Sequence, residues 1–253
     1  MIAAERRVLI LEKIQKERTV VVSELAESYQ VSEETIRRDL ERLEEDGHIT
    51  RGYGGAVLNE TSRLDLPYNV RRGVNTEGKQ RIASLALGLV PEGAHIFLDA
   101  STTSVYIARE LKQRERLSVI TNSLENLLEL GQVTGWDVIC TSGQLRPSTM
   151  SLYGRGTIQT VMNYHADTVF LSCKGMDRTR GITDGGDEIA EVKQAMIESS
   201  GQVVLCADHT KLDRIAFSQI CGFDRIDCFI TDEQPSVEWR EYLEERQIRL
   251  ICP

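Results

Sequence analysis

Arg37, Arg38 and Arg42 crowd one short stretch that begins Val31-Ser-Glu-Glu-Thr-Ile-Arg-Arg-Asp-Leu40, with Ser32 and Thr35 just ahead of them. On a helix, a step of about 100° per residue turns Arg38 away from the apolar line Ile36, Leu40 and Leu43. Thr35 and Arg42 then lie beside Arg38, and Arg37 on the flank. Arginine forks match the paired acceptors of a guanine edge, and small hydroxyls suit phosphate oxygens. The chemistry on offer is recognition of a nucleic acid rather than bond making. The plain alternative is a solvated helix whose arginines pair with Glu33, Glu34, Glu41 and Glu45, contacts that contribute little.

Two further clusters suit anions. Asp99-Ala-Ser-Thr-Thr-Ser104 follows an apolar run and precedes a helical one. That order gathers the hydroxyls of Ser101, Thr102 and Thr103 with free amides at a helix N-terminus, a geometry that binds phosphate. A hydroxyl cap without a ligand would look the same. Asp208-His-Thr-Lys211 follows the apolar run 202–207. Lys211 there can neutralise a phosphate or sugar oxygen while Asp208 orients it, although a loop salt bridge shares this pattern. Lys193 is a further candidate to reach this site, from a helix that follows Asp184-Gly-Gly-Asp-Glu188, itself read as a turn and an acidic helix start.

The elements that must position these residues can be read along the chain. Helical spacing predicts a first helix from Ala4 to Glu17, with Val8, Leu11 and Ile14 or Ile10 inward. Lys13, Lys16 and Arg18 read as surface charge, and Thr19-Val-Val-Val22 as a short strand. A short helix follows, with Ser23 as cap and Leu25, Ala26 and Tyr29 inward; Gln30-Val31 is a tight turn. Ser32 caps the second helix, Glu33 and Glu34 sit at its positive end, and Asp46-Gly47 ends it. This is the order of a helix-turn-helix. His48–Arg51 and Ala56–Leu58 flank Gly52-Tyr-Gly-Gly55, a two-stranded wing whose glycines let backbone approach a phosphate and whose Arg51 reaches a minor groove. Residues 59–75 read as a linker. From Thr76, apolar strands (95–99, 117–121, 137–141, 168–173, 202–207, 227–231, 248–252) alternate with helices (77–89, 103–113, 123–131, 188–199, 236–245). The expected organisation is an α+β winged helix-turn-helix domain over 1–58, the linker, and a larger α/β domain with a mainly parallel sheet over 76–253.

Bulk properties narrow the classes. No apolar run approaches the ~20 residues of a membrane span, and the first residues lack the apolar core of an export signal, so a cytoplasmic location without membrane contact is expected. The six cysteines form no Cys-x-x-Cys pair and read as reduced core thiols, with no metal site. A net charge of −9 argues against a protein that coats nucleic acid non-specifically. Residues 1–58 themselves hold nine basic against twelve acidic side chains. Affinity for DNA must then come from arginines on one face, used in two or more copies, so a homo-oligomer, dimer or tetramer, is expected.

The motif Val31–Leu40, with Leu43, Gly47 and Arg51-Gly-Tyr-Gly-Gly-Ala56, closely resembles the start of DeoR-family bacterial transcriptional regulators. The resemblance continues through Leu98-Asp-Ala-Ser-Thr-Thr103, Thr121-Asn-Ser123, Ser142-Gly-Gln-Leu-Arg146, Gly175-Met-Asp177, Gly181-Ile-Thr183 and Ala207-Asp-His-Thr-Lys211, in the family's order. It implies a winged helix-turn-helix joined to a sensor domain of the ribose-phosphate-isomerase and coenzyme A transferase type. Members commonly answer to phosphorylated sugars or related metabolites, and most repress operons for sugar uptake and breakdown. On this reading Ser32, Thr35, Arg37, Arg38, Arg42, Arg51 and Tyr53 meet double-stranded operator DNA. Asp99, Ser101, Thr102, Thr103, Asn122, Gly143, Lys193, Asp208 and Lys211 meet the effector, with no cofactor and no catalytic residue. Tyr53 stands where the family often has histidine at the wing, and Ser101 where its phosphate loop usually has glycine. The alternative is a sugar-phosphate isomerase-like enzyme carrying a DNA-binding head, with Asp177 or Asp99 as its acid/base group.

Overall fold

Ile10, Leu11 and Ile14, repeating at helical spacing, bury one side of α1 (Ala3–Glu17) in an apolar nucleus shared with Leu25, Ile36, Leu40 and Leu43. The structure, a computed structural model, describes residues 2–17, 19–45, 49–58 and 68–253. It divides into two units, Met1–Val74 and Asn75–Pro253.

In the first unit, α1 is followed by β1 (Thr19–Val21), α2 (Val22–Tyr29), α3 (Glu33–Glu45), β2 (Ile49–Gly52), β3 (Gly55–Leu58) and α4 (Tyr68–Gly73). Val8 is only half-buried, unlike Ile10, because the inward face of α1 centres one residue pair further on. α2 begins at Val22 with no side-chain cap, so Ser23 lies inside the helix rather than capping it. Gln30 takes the left-handed conformation (φ 53°) that turns the chain from α2 toward α3. The wing is three-stranded, in the order β1-β3-β2, because β1 joins the expected pair along β3. That pairing explains Gly55, where a Cβ would stand 2.2 Å from the Val20 carbonyl oxygen. Strand packing alone therefore requires the glycine. Residues 68–73, expected in the linker, form α4, too short to show a period in the sequence. The helix stop at Asp46-Gly47, His48 of the wing, the linker's 59–67, Arg18 and the Lys16 side chain fall outside what the structure describes. Lys13 reaches Glu17 at 3.9 Å, an ordinary surface pair.

One buried ion pair ties α1 to α3. Arg6 Nε donates to Asp39 Oδ2 at 2.5 Å, and Arg7 Nη1 reaches Asp39 Oδ1 at 3.5 Å. Arg6 and Asp39 are both buried, so the pair fixes the angle at which α3 leaves the nucleus.

The second unit comprises α5 (Thr76–Leu87), β4 (His95–Leu98), α6 (Thr102–Leu111), β5 (Ser118–Thr121), α7 (Leu124–Leu130), β6 (Asp137–Cys140), β7 (Gln144–Arg146), β8 (Ser151–Tyr153), α8 (Arg155–Met162) and β9 (Ala166–Leu171). It continues with β10 (Gly175–Asp177), β11 (Gly181–Asp184), α9 (Asp187–Glu198), β12 (Ser200–Cys206), β13 (Ser218–Cys221), β14 (Cys228–Ile230), α10 (Val237–Glu245) and β15 (Arg249–Ile251). A seven-stranded sheet runs β15-β14-β12-β9-β4-β5-β6, with every neighbouring pair parallel. Strand residues alternate between two cores, as a sheet covered on both faces requires. Phe97, Ile120, Val169 and Leu205 face Val161, Met196 and Trp239, while Ile96, Leu98, Val119 and Phe170 face Ile82, Ile107 and Leu111. The β7–β8 hairpin, α8 and the antiparallel β10-β11-β13 sheet go beyond the sequence expectation. All six cysteines are free; Cys173, Cys206 and Cys228 are core thiols, but Cys140 on edge strand β6 is exposed. Among the described residues no helix is long and apolar enough to cross a membrane.

Removing Asp39 leaves Arg6 buried without its counter-ion, which costs about 3–5 kcal/mol in comparable pairs. Thermal unfolding of Asp39→Ala is expected to show the N-terminal unit melting well below its wild-type temperature, with the α/β unit's transition unmoved.

Candidate functional sites

The first site is the outer face of α3. Ser32 Oγ accepts the Thr35 amide at 3.2 Å and meets the Thr35 hydroxyl at 2.9 Å, so the expected cap is present. Ile36, Leu40 and Leu43 are buried on the inner side, which leaves Arg37, Arg38 and Arg42 exposed on the outer one. Each arginine already has an acidic neighbour. Arg37 pairs with Glu33 at 2.6 Å, Arg38 with Glu34 at 3.4 Å and Arg42 with Glu45 at 2.6 Å. The face is therefore both arginine-rich and acid-buffered. Arg51 does not extend freely from the wing, since its amide and its Nε both donate to Glu44, at 2.8 and 2.7 Å. Those two bonds hold the Glu44 carboxyl below its ordinary value and latch β2 to α3. Tyr53 stands fully exposed at the wing tip beside Gly54, whose φ of +83° makes the turn.

The second site lies where the chain leaves β4 toward β5 but leaves β9 toward β12, on the other side. A parallel sheet opens a crevice at such a reversal. Asp99 follows β4 there, fully enclosed, and its Oδ2 accepts the Ser172 amide at 2.8 Å and Lys193 at 3.0 Å. Lys193 also donates to Asp184 at 2.7 Å and to the Ser172 carbonyl at 2.6 Å. An ammonium has three protons to donate, and here all are taken. Lys193 thus positions Asp99 and Asp184, which is where the structure places this expected effector residue. Burial works against its charge, but the two aspartates outweigh burial and raise its pKa. Burial likewise opposes ionisation of Asp184, yet Lys193 brings its pKa below the ordinary range.

At α6, Ser101 takes an extended backbone (φ −108°) that any residue adopts, so a serine in place of glycine brings no strain. Its hydroxyl accepts the Ser104 amide at 3.0 Å. The amides of Thr102 and Thr103 then open the helix with no acceptor within it. Asn126, fully buried, holds this loop by donating to the Asp99 carbonyl at 3.0 Å and to Thr121 Oγ1 at 3.1 Å. Asp208 is buried and accepts the Thr210 amide at 3.0 Å; Lys211 lies 3.6 Å from it and is half-exposed. Burial of Asp208 is outweighed by Lys211, Thr210 and Lys79, and its pKa is lowered. Burial pushes the Cys173 thiol up. Since β12, β9 and β4 are parallel neighbours in the sheet, Asp208 after β12 and Asp99 after β4 both lie along its C-terminal edge.

Asn122 donates to the Leu152 carbonyl at 2.9 Å. Gly143 is a packing residue: with φ at +132°, a Cβ would stand 2.1 Å from Thr157 Oγ1. Asp177 sits in the β10–β11 turn, where Oδ1 accepts the amides of Thr179 and Arg180 at 2.9 and 2.8 Å. Sequence reasoning missed Asp184, Asn126 and the buried Lys79. Asp184 had a signal, because a lysine on an otherwise apolar helix face needs a carboxylate.

An arginine-faced winged helix-turn-helix followed by a parallel α/β unit with a polar switch-point crevice defines a two-domain transcription regulator. The chain belongs to the DeoR family of DNA-binding transcriptional regulators: residues 6–62 match the DeoR-like helix-turn-helix domain and residues 74–233 the DeoR C-terminal sensor domain. It is 36% identical over 252 residues to the HTH-type transcriptional regulator YulB of Bacillus subtilis, covering 100% of this chain and 97% of that one. It is 31% identical over 244 residues to the glycerol-3-phosphate regulon repressor of Escherichia coli, covering 96% of each. Ribose 5-phosphate isomerase A of Methanocaldococcus jannaschii is similar at 19% identity and a TM-score of 0.41 over 55% of each chain, a distance that says nothing of activity.

The aspartates and Lys193 set a pH window for the sensor unit. Asp184 and Asp208 have lowered pKa values when folded, so their contribution is present above about pH 4 and is lost as pH falls through those values. Lys193 is raised, so its contribution is present below about pH 10.4 and is lost as pH climbs through its folded value. Urea unfolding across pH is expected to give a plateau between those limits, with stability falling on both sides.

Proposed function

We propose that this regulator represses an operon for sugar uptake or breakdown, with residues 1–58 reading the operator, 59–75 joining the parts and 76–253 sensing a phosphorylated sugar or related metabolite. The observation that carries the sensing half is the switch-point crevice, where the opening amides of α6 offer an anion hydrogen bonds and Lys211, held by Asp208 at 3.6 Å, offers it charge. The relative named as a glycerol-3-phosphate regulon repressor supports both the ligand class and the direction of control. Relatives named as regulators support sensing without turnover.

DNA contact is assigned to Arg38 and Arg42 at base edges, Ser32 and Thr35 at phosphates, and Arg37, Arg51 and Tyr53 at the margins. Since the chain is acidic overall, the protein works as a homo-oligomer in the cytoplasm, so that two heads engage two half-sites. Effector binding must favour one arrangement of heads over another, because a ligand with equal affinity for both shifts nothing. A route for that bias lies within the sensor unit. Asp232 accepts the His209 amide at 2.7 Å from the 208–211 loop, and it accepts Asn75, the first residue of this unit, at 2.9 Å.

Two measurements test this reading. Arg38→Ala with Arg42→Ala, in a protein that keeps its fold, is expected to weaken operator binding at least about tenfold, given roughly 1–3 kcal/mol per arginine on guanine; undiminished affinity would remove the assigned face. Titrating the operator complex with sugar phosphates is expected to release the DNA, and no response to any of them would remove the sensing claim.

A further inference from the structure

β4, β5 and β6 end in register, with Leu98 beside Thr121 and Thr121 beside Cys140. The next residues, Asp99, Asn122 and Thr141, therefore form a row across the C-terminal edge of three adjacent strands. Alternation puts them on the side of Phe97, Ile120 and Ile139, the side from which Lys193 of α9 reaches Asp99. All three residues are buried. Each ends in a polar atom with no hydrogen-bond partner: Asp99 Oδ1, Asn122 Oδ1 and Thr141 Oγ1. Among the described residues of this unit, no other enclosed side-chain oxygen or nitrogen is left so.

The remaining atoms of these groups are committed, which fixes what faces the row. Asp99 Oδ2 serves Ser172 and Lys193. Asn122 Nδ2 donates to the Leu152 carbonyl, so a reversed amide would set two oxygens against each other. The row thus presents a carboxylate oxygen and an amide oxygen, which only accept, and one hydroxyl. Phosphate oxygens cannot satisfy acceptors. An ammonium is not called for either, because the charge of Asp99 is already met by Lys193 at 3.0 Å. Neutral donors remain, repeated at the spacing of neighbouring strands, about 5 Å. The hydroxyls of a carbon chain have that character. The β7–β8 hairpin meets the row, since the Leu152 amide donates to the Asn122 carbonyl at 2.8 Å, and it encloses whatever lies beneath.

We propose that Asp99, Asn122 and Thr141 form a polyol subsite that takes the hydroxyls of the effector's carbon chain while its phosphate sits at the amides of Thr102 and Thr103. This rests on the sugar-phosphate reading above and adds Thr141, which no motif pointed to. The effector class narrows to a phosphate ester of a chain with several hydroxyls.

Calorimetric titration of the full-length protein tests it, with inorganic phosphate, propyl phosphate and straight-chain polyol phosphates of increasing length as probes. Wild type is expected to bind polyol phosphates more tightly than propyl phosphate. Thr141→Val should weaken the polyol phosphates about tenfold, leave inorganic and propyl phosphate unchanged, and regain affinity as Thr141→Ser. Its ligand-free melting temperature should equal or exceed that of wild type, because the hydroxyl removed had no partner. If Thr141→Val binds every probe as wild type does, or melts lower without selective loss, the subsite is overturned and the phosphate site stands. If wild type binds none of the probes, inorganic phosphate included, the sugar-phosphate reading falls and the subsite with it.

Discussion

Lys193 carries a charge inside the sensor domain, and the arrangement around the crevice follows from neutralising it. An ammonium taken out of water needs carboxylates and full hydrogen bonding, or it loses its proton. Asp99 and Asp184 supply the charge, and the Ser172 carbonyl takes the third proton. These contacts draw the end of β4, the end of β9 and the end of β11 to one side chain on α9. They bind together β4 and β9, the strands on either side of which the chain adds its next strand in opposite directions. Asp99 is also the first residue of the loop that opens α6, so the same contacts set the attitude of that helix and of its opening amides. A buried pair of this kind adds little net stability, but breaking it is costly. Its value is geometrical.

The DNA-binding head follows a different principle. Its nucleus is small and apolar, and the recognition helix is aimed by one buried arginine–aspartate contact to α1. Outside, the arginines are each held by a glutamate of the same helix, and Arg51 by Glu44. Exposed pairs like these are weak, so a matching array of phosphates and guanine edges can displace them, while a poorly matched surface still meets the acids. Specificity in such a head comes partly from what the glutamates refuse.

Much of this was legible in the sequence for physical reasons. Continuous apolar runs such as Val203-Val-Leu-Cys-Ala207 mark strands buried on both faces, and the Ile36, Leu40, Leu43 spacing marks which side of α3 turns in. The Ser32 cap was readable because it acts within three residues of itself. What escaped notice depends on distant partners. Asp184 reads as a turn residue until Lys193 is seen against it, and Gly55 as a flexible wing tip until β1 pairs with it. That Gly143 is also required by Thr157 could not be read, because Thr157 lies on a helix too short to leave a period. Asn126 shows nothing in its neighbours that foretells a hub joining Asp99, Ser104 and Thr121.

The parallel sheet also dictates an order of assembly. In the head, β2 and β3 pair across a tight turn and β1 joins β3 within the first 58 residues; among the described residues its nucleus draws on nothing beyond Val74. The centre of the sensor instead joins β4 to β9, so Phe97 finds Val169 only after the chain has been made through β9. Contacts between segments so far apart form slowly, and chains are made from the N-terminus. During synthesis, then, the part that grips the genome can be finished while the sensor domain is still being threaded from the ribosome.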